Sequence, residues 1–170
     1  VYKALIAYVS YSGNTKEAAE IAADVLTKKG MKVTLADVSE TAAELEAYDV
    51  YVFGALTWGD GELPKEMRVF LRKILPLLEV RKEEIKAAVF GTGDSIFPRF
   101  CWAVDIVFHH LTKRGFPTFP EKLKIEQSPY GLGQVAKVEA WAERFAEWVQ
   151  GQAATEGAGQ RASASTPAVK

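Results

Sequence analysis

Three short stretches hold side chains whose type and spacing could do chemistry. The first, Ser10-Tyr11-Ser12-Gly13-Asn14-Thr15, sets small hydroxyl side chains and a glycine between an apolar run and an amphipathic one. At a strand-to-helix turn such residues free several backbone N–H groups to converge at the positive end of a helix dipole. A phosphate placed there would gain those donors, the hydroxyls of Ser10, Ser12 and Thr15, and the amide of Asn14. The alternative is an ordinary turn with Asn14 or Thr15 as helix N-cap. No Walker-type lysine pattern follows and no acidic magnesium ligand is evident, which argues against nucleotide hydrolysis.

The second stretch, Thr57-Trp58-Gly59-Asp60-Gly61-Glu62-Leu63-Pro64, puts a tryptophan between the end of an apolar run and two glycines. A tryptophan so placed suits stacking on a planar ligand better than core packing. Gly59 and Gly61 permit positive φ and low-cost reorientation of a peptide. A turn with a half-buried tryptophan is the alternative. The third stretch, Gly91-Thr92-Gly93-Asp94-Ser95-Ile96-Phe97-Pro98-Arg99-Phe100-Cys101, again opens on glycines. A carboxylate follows, and Phe97 could cover a second ring face. A phosphate cradle and two aromatic walls together are far more specific than any one of the three.

The elements between these stretches must bring them to one place. Lys3–Val9, Asp49–Leu56 and Ile85–Gly91 are continuous apolar runs, read as buried strands, and Met31–Val38 alternates with Met31, Val33 and Leu35 on one side. A fifth strand is expected near Thr118–Glu126. Helices are expected over Thr15–Lys29, about Pro64–Leu75, about Cys101–Arg114 and about Gly133–Val149. The alternation predicts an α/β fold: a parallel sheet with helices on both faces. Ligands of such sheets bind beyond the carboxyl ends of the strands, where the strand order reverses. The three stretches follow strands one, three and four.

In this arrangement the chain resembles the short-chain bacterial flavodoxins. Ser10 to Thr15 matches their phosphate-loop pattern of hydroxyl residues followed by Gly-Asn-Thr. Thr57-Trp58-Gly59-Asp60 matches the loop whose tryptophan stacks on the isoalloxazine. Gly91 to Ser95, through Phe100-Cys101 and Ala103-Val104-Asp105, matches the third flavin loop. The similarity spans about residues 2–150. It implies a flavodoxin-like, doubly wound five-stranded sheet of order 2-1-3-4-5, a case the general rule for open α/β sheets already uses as an example. It implies FMN, held noncovalently: the phosphate by Ser10, Tyr11, Ser12, Gly13, Asn14 and Thr15, one ring face by Trp58 and the other by Phe97. The remaining contacts would come from Thr57, Gly59, Asp60, Gly61, Gly91, Thr92, Gly93, Asp94, Phe100 and Cys101. The Gly59–Asp60 peptide would turn its carbonyl toward flavin N5–H and stabilise a neutral semiquinone. Asp60, Glu62, Asp94 and Asp105 would disfavour the anionic, fully reduced flavin. Arg99 departs from the family pattern, and a cation near the ring would raise the second potential. The implied role is a low-potential one-electron carrier, not an enzyme, working between a flavodoxin reductase or similar donor and an acceptor protein. A flavodoxin-fold NAD(P)H:quinone reductase, or the FMN domain of a larger reductase, is the alternative.

Composition sets the outer bounds. The 170 residues are 48% hydrophobic and 25% charged, the usual balance for one globular domain. With 21 basic against 22 acidic residues, no nucleic-acid footprint is visible. No apolar run reaches the ~18–20 residues of a membrane span. A single cysteine, Cys101, excludes an intrachain disulfide, and a cytoplasmic monomer is the expectation. After Gln150 the chain turns to Ala, Gly, Ser, Thr and Gln, which predicts a disordered tail over 151–170 and a folded unit over 1–150. Its charges are Glu156, Arg161 and Lys170, leaving the folded unit with 19 basic and 21 acidic residues. Electrostatic steering of partners would then come from local patches. Four further signals read as structural: Gly131-Leu132-Gly133-Gln134-Val135-Ala136 as a loop and helix start, His109-His110 as helix neighbours whose side chains diverge too far for a metal pair, Trp141/Phe145/Trp148 as core, and Arg81-Lys82-Glu83-Glu84 as a solvated turn.

Overall fold

The continuous apolar runs become central strands, buried on both faces. They are β1 (Lys3–Val9), β3 (Val50–Leu56) and β4 (Lys86–Gly93), flanked by β2 (Lys32–Asp37) and β5 (Leu123–Glu126). In this computed structural model, which describes residues 1–40 and 45–165 with side chains as far as Gly151, they form one sheet of order β2-β1-β3-β4-β5. All pairings are parallel. The register sets Val9 beside Ala55, Leu56 beside Thr92 and Gly93 beside Glu126, so these carboxyl ends share one edge.

Helices α1 (Asn14–Lys28) and α4 (Val135–Ser165) cover one face, and α2 (Lys65–Leu78) and α3 (Trp102–Lys113) the other. Under α1 and α4 lie Ile6, Val52 and Phe90; Trp141 and Phe145 are buried there with Trp148 partly covered, as the helical stripe predicts. Under α2 and α3 lie Leu5, Phe53 and Val89. Each such large side chain contributes roughly 1.5–3 kcal/mol on burial. The β1–β2 connection carries α1 to one face and the β3–β4 connection carries α2 to the other, which opens the crevice between β1 and β3.

Several boundaries differ from expectation, each for a local reason. β4 continues through Gly91 and Thr92 to Gly93, because β3 pairs with Thr92 and β5 with all three, and two-sided pairing overrides the poor strand preference of glycine. β5 is short, since Pro117 and Pro120 interrupt the stretch before it and Thr118 makes only an isolated bridge to Ala87. The edge strand β2 leaves Leu35 40% exposed, so Met31, Val33 and Leu35 do not share one buried face. α2 starts at Lys65 with Pro64 as its cap, and runs through Pro76 to Leu78. Pro76 sits in the last turn, where its missing N–H forfeits a single bond. Neither Asn14 nor Thr15 caps α1; Gly13 does, with φ of 97° and no side-chain bond. The backbone of α4 continues past Val149 to Ser165, through a stretch that mixes alanines with the weak helix formers Gly151, Gly157 and Gly159. Of the stretch expected as a tail, residues 166–170 lie outside the described residues, as do the side chains of 152–165. Among the described residues no helix is long and apolar enough to cross a membrane.

Candidate cofactor site

The loop after β1 is organised by one hydroxyl. Ser10 Oγ accepts the N–H groups of Gly13, at 3.1 Å, and Lys16, at 3.3 Å. The first intrahelical bond of α1 runs from Glu17 N–H to Gly13 O, so the N–H groups of Asn14 and Thr15 leave the helix start with no acceptor from the helix itself. These are the donors and dipole an anion needs. Thr15 itself is buried: its hydroxyl shares a 2.8 Å hydrogen bond with that of Thr92 in β4, which ties the helix start to the sheet. Ser12 is exposed at the loop tip. Tyr11 reaches sideways. Its ring meets Trp58 edge-on with centroids 5.0 Å apart, and its hydroxyl donates to Glu66 of α2 at 2.6 Å. That bond pushes the Tyr11 phenol up to about 12 and holds the Glu66 carboxyl below its ordinary range.

The loop after β3 is a small closed turn. Trp58 N–H donates to Glu62 O at 2.8 Å and Glu62 N–H to Trp58 O at 2.7 Å, with positive φ at Gly59 and Gly61 between them. Gly61 must lack a side chain for a second reason: a Cβ there would lie 2.6 Å from Cδ of Arg99. The aliphatic stem of Arg99 thus lies across the turn and joins the second loop to the third. Thr57 joins the loop to β4 and α3, its N–H donating to Thr92 O and its Oγ1 accepting from Ala103 N–H at the start of α3.

The loop after β4 is shaped by two carboxylates. Asp94 Oδ1 accepts the N–H of Ile96 at 3.0 Å, and Glu126 at the end of β5 accepts that of Ser95 at 3.0 Å. The loop ends at Cys101, held at φ 51° and ψ 36°, a left-handed conformation that a non-glycine residue adopts at a cost of roughly 1–2 kcal/mol. Such strain collects at functional sites. The Cys101 thiol is fully buried against the carbonyls of Gly91 and Ile125, and burial pushes it up to about 12, which makes it a packing group and a poor nucleophile.

Between the second and third loops lies a cleft of about 360 Å³, lined by Thr57, Trp58, Gly59, Asp60, Asp94, Phe97, Arg99 and Cys101. Its two aromatic flanks, Trp58 and Phe97, are 54% and 52% exposed, so each has a ring surface to offer. The sequence reading thus placed seven of its residues around one cleft, with the Asn14 and Thr15 donors linked to it through Tyr11. Other residues of that reading lie away from the cleft lining. Gly91 and Thr92 are buried inside β4: a Cβ on Gly91 would lie 2.4 Å from Ala55 O and 2.5 Å from Val104 Cγ2, so this glycine serves the packing of α3 on the sheet. Gly61 lies beneath Arg99, Gly93 lies against the backbone of Cys101, and Phe100 packs on the core under α3. Asp105 faces Lys122 and Lys124 at 2.8 and 2.6 Å. Burial alone would raise its pKa, but those two bonds outweigh it and hold the carboxyl below its usual range. A carboxylate so neutralised adds little charge to the cleft. Sequence reasoning missed Glu126; its only signal is the register that ends β5 beside Gly93.

Among the described residues no group of His, Cys, Asp and Glu side chains could hold a metal ion, and His109 and His110 stand 6.2 Å apart between ring centroids. The residues present fit FMN. The N–H groups of Asn14 and Thr15 lie at the α1 start without an acceptor from the helix, and two half-exposed rings flank the cleft.

The sequence model of the Flavodoxin family matches residues 6–158. Probable flavodoxin 1 of Bacillus subtilis (strain 168) is 35% identical over 147 residues, covering 86% of this chain and 91% of that one. The oxidised flavodoxin 2 of Bacillus cereus superposes with a TM-score of 0.75 at 39% identity, over 85% of this chain and 98% of that one. A short-chain flavodoxin associated with a non-canonical PDU bacterial microcompartment superposes with a TM-score of 0.77 at 28% identity, over 88% and 99%.

Proposed function

The chain belongs to the flavodoxin family, and from that premise we propose that it binds FMN noncovalently and carries electrons singly between redox proteins. The observation that carries this reading is the cleft between Trp58 and Phe97, set at the carboxyl edge of the sheet and tied to the helix start of α1 by the Tyr11–Trp58 contact. The N–H groups of Asn14 and Thr15, with Ser12, would hold the phosphate; Trp58 and Phe97 would cover the ring faces; backbone at Gly93, Asp94 and Cys101 would meet the pyrimidine edge. FMN supplies the one-electron chemistry. The protein would contribute two rings that shield the flavin from water, and the flexible Gly59–Asp60 peptide, whose carbonyl would accept a hydrogen bond from the flavin ring. No acid–base pair belongs to this role, because no substrate is transformed. Residues 1–150 are the unit that does this, working as a cytoplasmic monomer between a donor reductase and an acceptor protein.

Stepwise dithionite reduction of the FMN-loaded protein, followed by visible spectroscopy, tests the reading. A blue intermediate is the expected result. A protein that FMN cannot reconstitute overturns it. Sustained NAD(P)H oxidation by the protein alone would instead favour the reductase reading, which needs an open ring face that Trp58 and Phe97 would close.

A further inference from the structure

On the α2/α3 face, away from the aromatic cleft, lies a second hollow of about 210 Å³. Its walls carry Arg68 and Arg72, one turn apart on α2, and His110 and Arg114 from α3 and the residue after it. Its floor is apolar, made by Leu63, Leu71 and Leu75. No carboxylate lines it. Neither Arg68 nor Arg72 has an ion pair among the described residues, and Arg114 meets only Glu79, at 3.5 Å, which Lys82 already holds at 3.0 Å. Arg68 is braced by donating Nε–H to Leu63 O at 3.2 Å. Three arginines and a histidine therefore line one small concave site, two of the arginines without an ion pair among the described residues and the third sharing Glu79 with Lys82, in a chain whose net charge is only −1.

We propose that this hollow binds a polyvalent oxyanion of the diphosphate class. The guanidinium fork matches phosphate oxygens two at a time, and several forks around one hollow ask for more than a single carboxylate's charge. The leucine floor would lie beneath any organic part the anion carries. The environment of His110 fits the same picture. Burial first, then the charges of His109, Arg114 and Lys113, hold its pKa below the ordinary imidazole value, with Arg68 and Arg72 facing it across the hollow and Glu79 at the far side of Arg114. An anion bound there relieves that repulsion, so His110 takes its proton more readily and binding tightens as the pH falls.

The test uses FMN-saturated protein, so that the loop at the start of α1 is filled, and reads His110 and the amides of α2 and α3 by NMR. Inorganic pyrophosphate is expected to shift the signals of Arg72, His110 and Arg114 and to raise the His110 midpoint. Arg72→Glu, at an exposed position, is expected to weaken binding by about tenfold or more. Lys73→Glu makes the same charge change outside the hollow and is expected to cost less than about twofold. ADP is the second probe: tighter binding than pyrophosphate assigns a nucleotide source and engages the leucine floor, while equal binding assigns the free anion. Either result supports the site. Absence of a His110 response at millimolar pyrophosphate overturns it, as does equal loss from the two variants. A response to an oligoglutamate peptide alone also overturns it and makes the face a dock for acidic protein. Should Arg72→Glu fail to fold, the His110 response of the unsubstituted protein still decides.

Discussion

The bond between Thr15 and Thr92 offers a sharp quantitative test, because both hydroxyls are sealed from water. They lie 2.8 Å apart on side chains 1% and 3% exposed. Thr15→Val removes one hydroxyl at nearly constant shape and leaves the other buried without its partner, a loss of about 1–3 kcal/mol; Thr92→Val does the same from the other side. The double variant leaves two methyl groups facing each other, a change close to neutral. The single losses should therefore sum to about 2–6 kcal/mol, while the double variant loses about 1 kcal/mol or less. Urea unfolding of all four proteins without cofactor, at constant m-value, measures the cycle. FMN titration of the same four then separates two roles. If the hydroxyl pair holds the loop against β4, affinity falls in both single variants and recovers in the double. If Thr15 Oγ1 contacts the phosphate directly, only variants lacking it lose affinity and the double does not recover. Additivity within about 0.5 kcal/mol would refute the reasoning, since it would mean that each hydroxyl has another partner.

Four further outcomes are expected. Trp58→Ala should weaken FMN binding by about tenfold to a hundredfold, the worth of one stacked aromatic face, and flavin fluorescence titration would expose an unchanged affinity. Arg99→Glu should make the second one-electron reduction more negative by tens of millivolts, because a rim charge is worth on the order of 1 kcal/mol; a spectroelectrochemical titration with no shift removes that assignment. Gly91→Ala should lower thermal stability by at least about 1–3 kcal/mol, since its Cβ would sit 2.4 Å from Ala55 O, and calorimetry showing an unchanged midpoint would mean that α3 can move. The Tyr11 phenol should ionise near pH 12 in an ultraviolet titration and at lower pH in Glu66→Gln. A raised phenol stabilises the fold fully below pH 10 and loses that share between 10 and 12; the lowered Glu66 contributes above the ordinary carboxylate range and loses its share as the pH falls through its folded value.

What could be read in advance followed physical period and local chemistry. The three apolar runs that became β1, β3 and β4 announce strands buried on both faces, and the strand order followed from resemblance, because periodicity is blind to which strands pair. Trp58, Asp60, Asp94 and Phe97 were placed on one cleft because loops after parallel strands must share an edge. Gly91 lies in β4 and not in a loop, and the sequence did not say so because a glycine looks the same whether it opens a loop or admits a neighbouring helix; only the nearness of Val104 and Ala55 O tells them apart. The turn of Thr15 inward to Thr92, 77 positions away, leaves no trace in local sequence. Glu126 and the basic hollow share that property, each assembled from elements distant in the chain. β2 failed its alternation because an edge strand meets helices on less of its surface than its pattern suggests.

The closed turn at Trp58–Glu62 carries a consequence for rate. Two reciprocal backbone bonds fix both ends of the turn, Gly61 N–H also donates to Trp58 O, and the stem of Arg99 rests on Gly61, so any change in peptide orientation is confined to the Gly59–Asp60 link. In an electron carrier the nuclear rearrangement that accompanies each transfer sets the activation barrier. In the electron-carrying role proposed above, a turn anchored in this way would keep that rearrangement small and local.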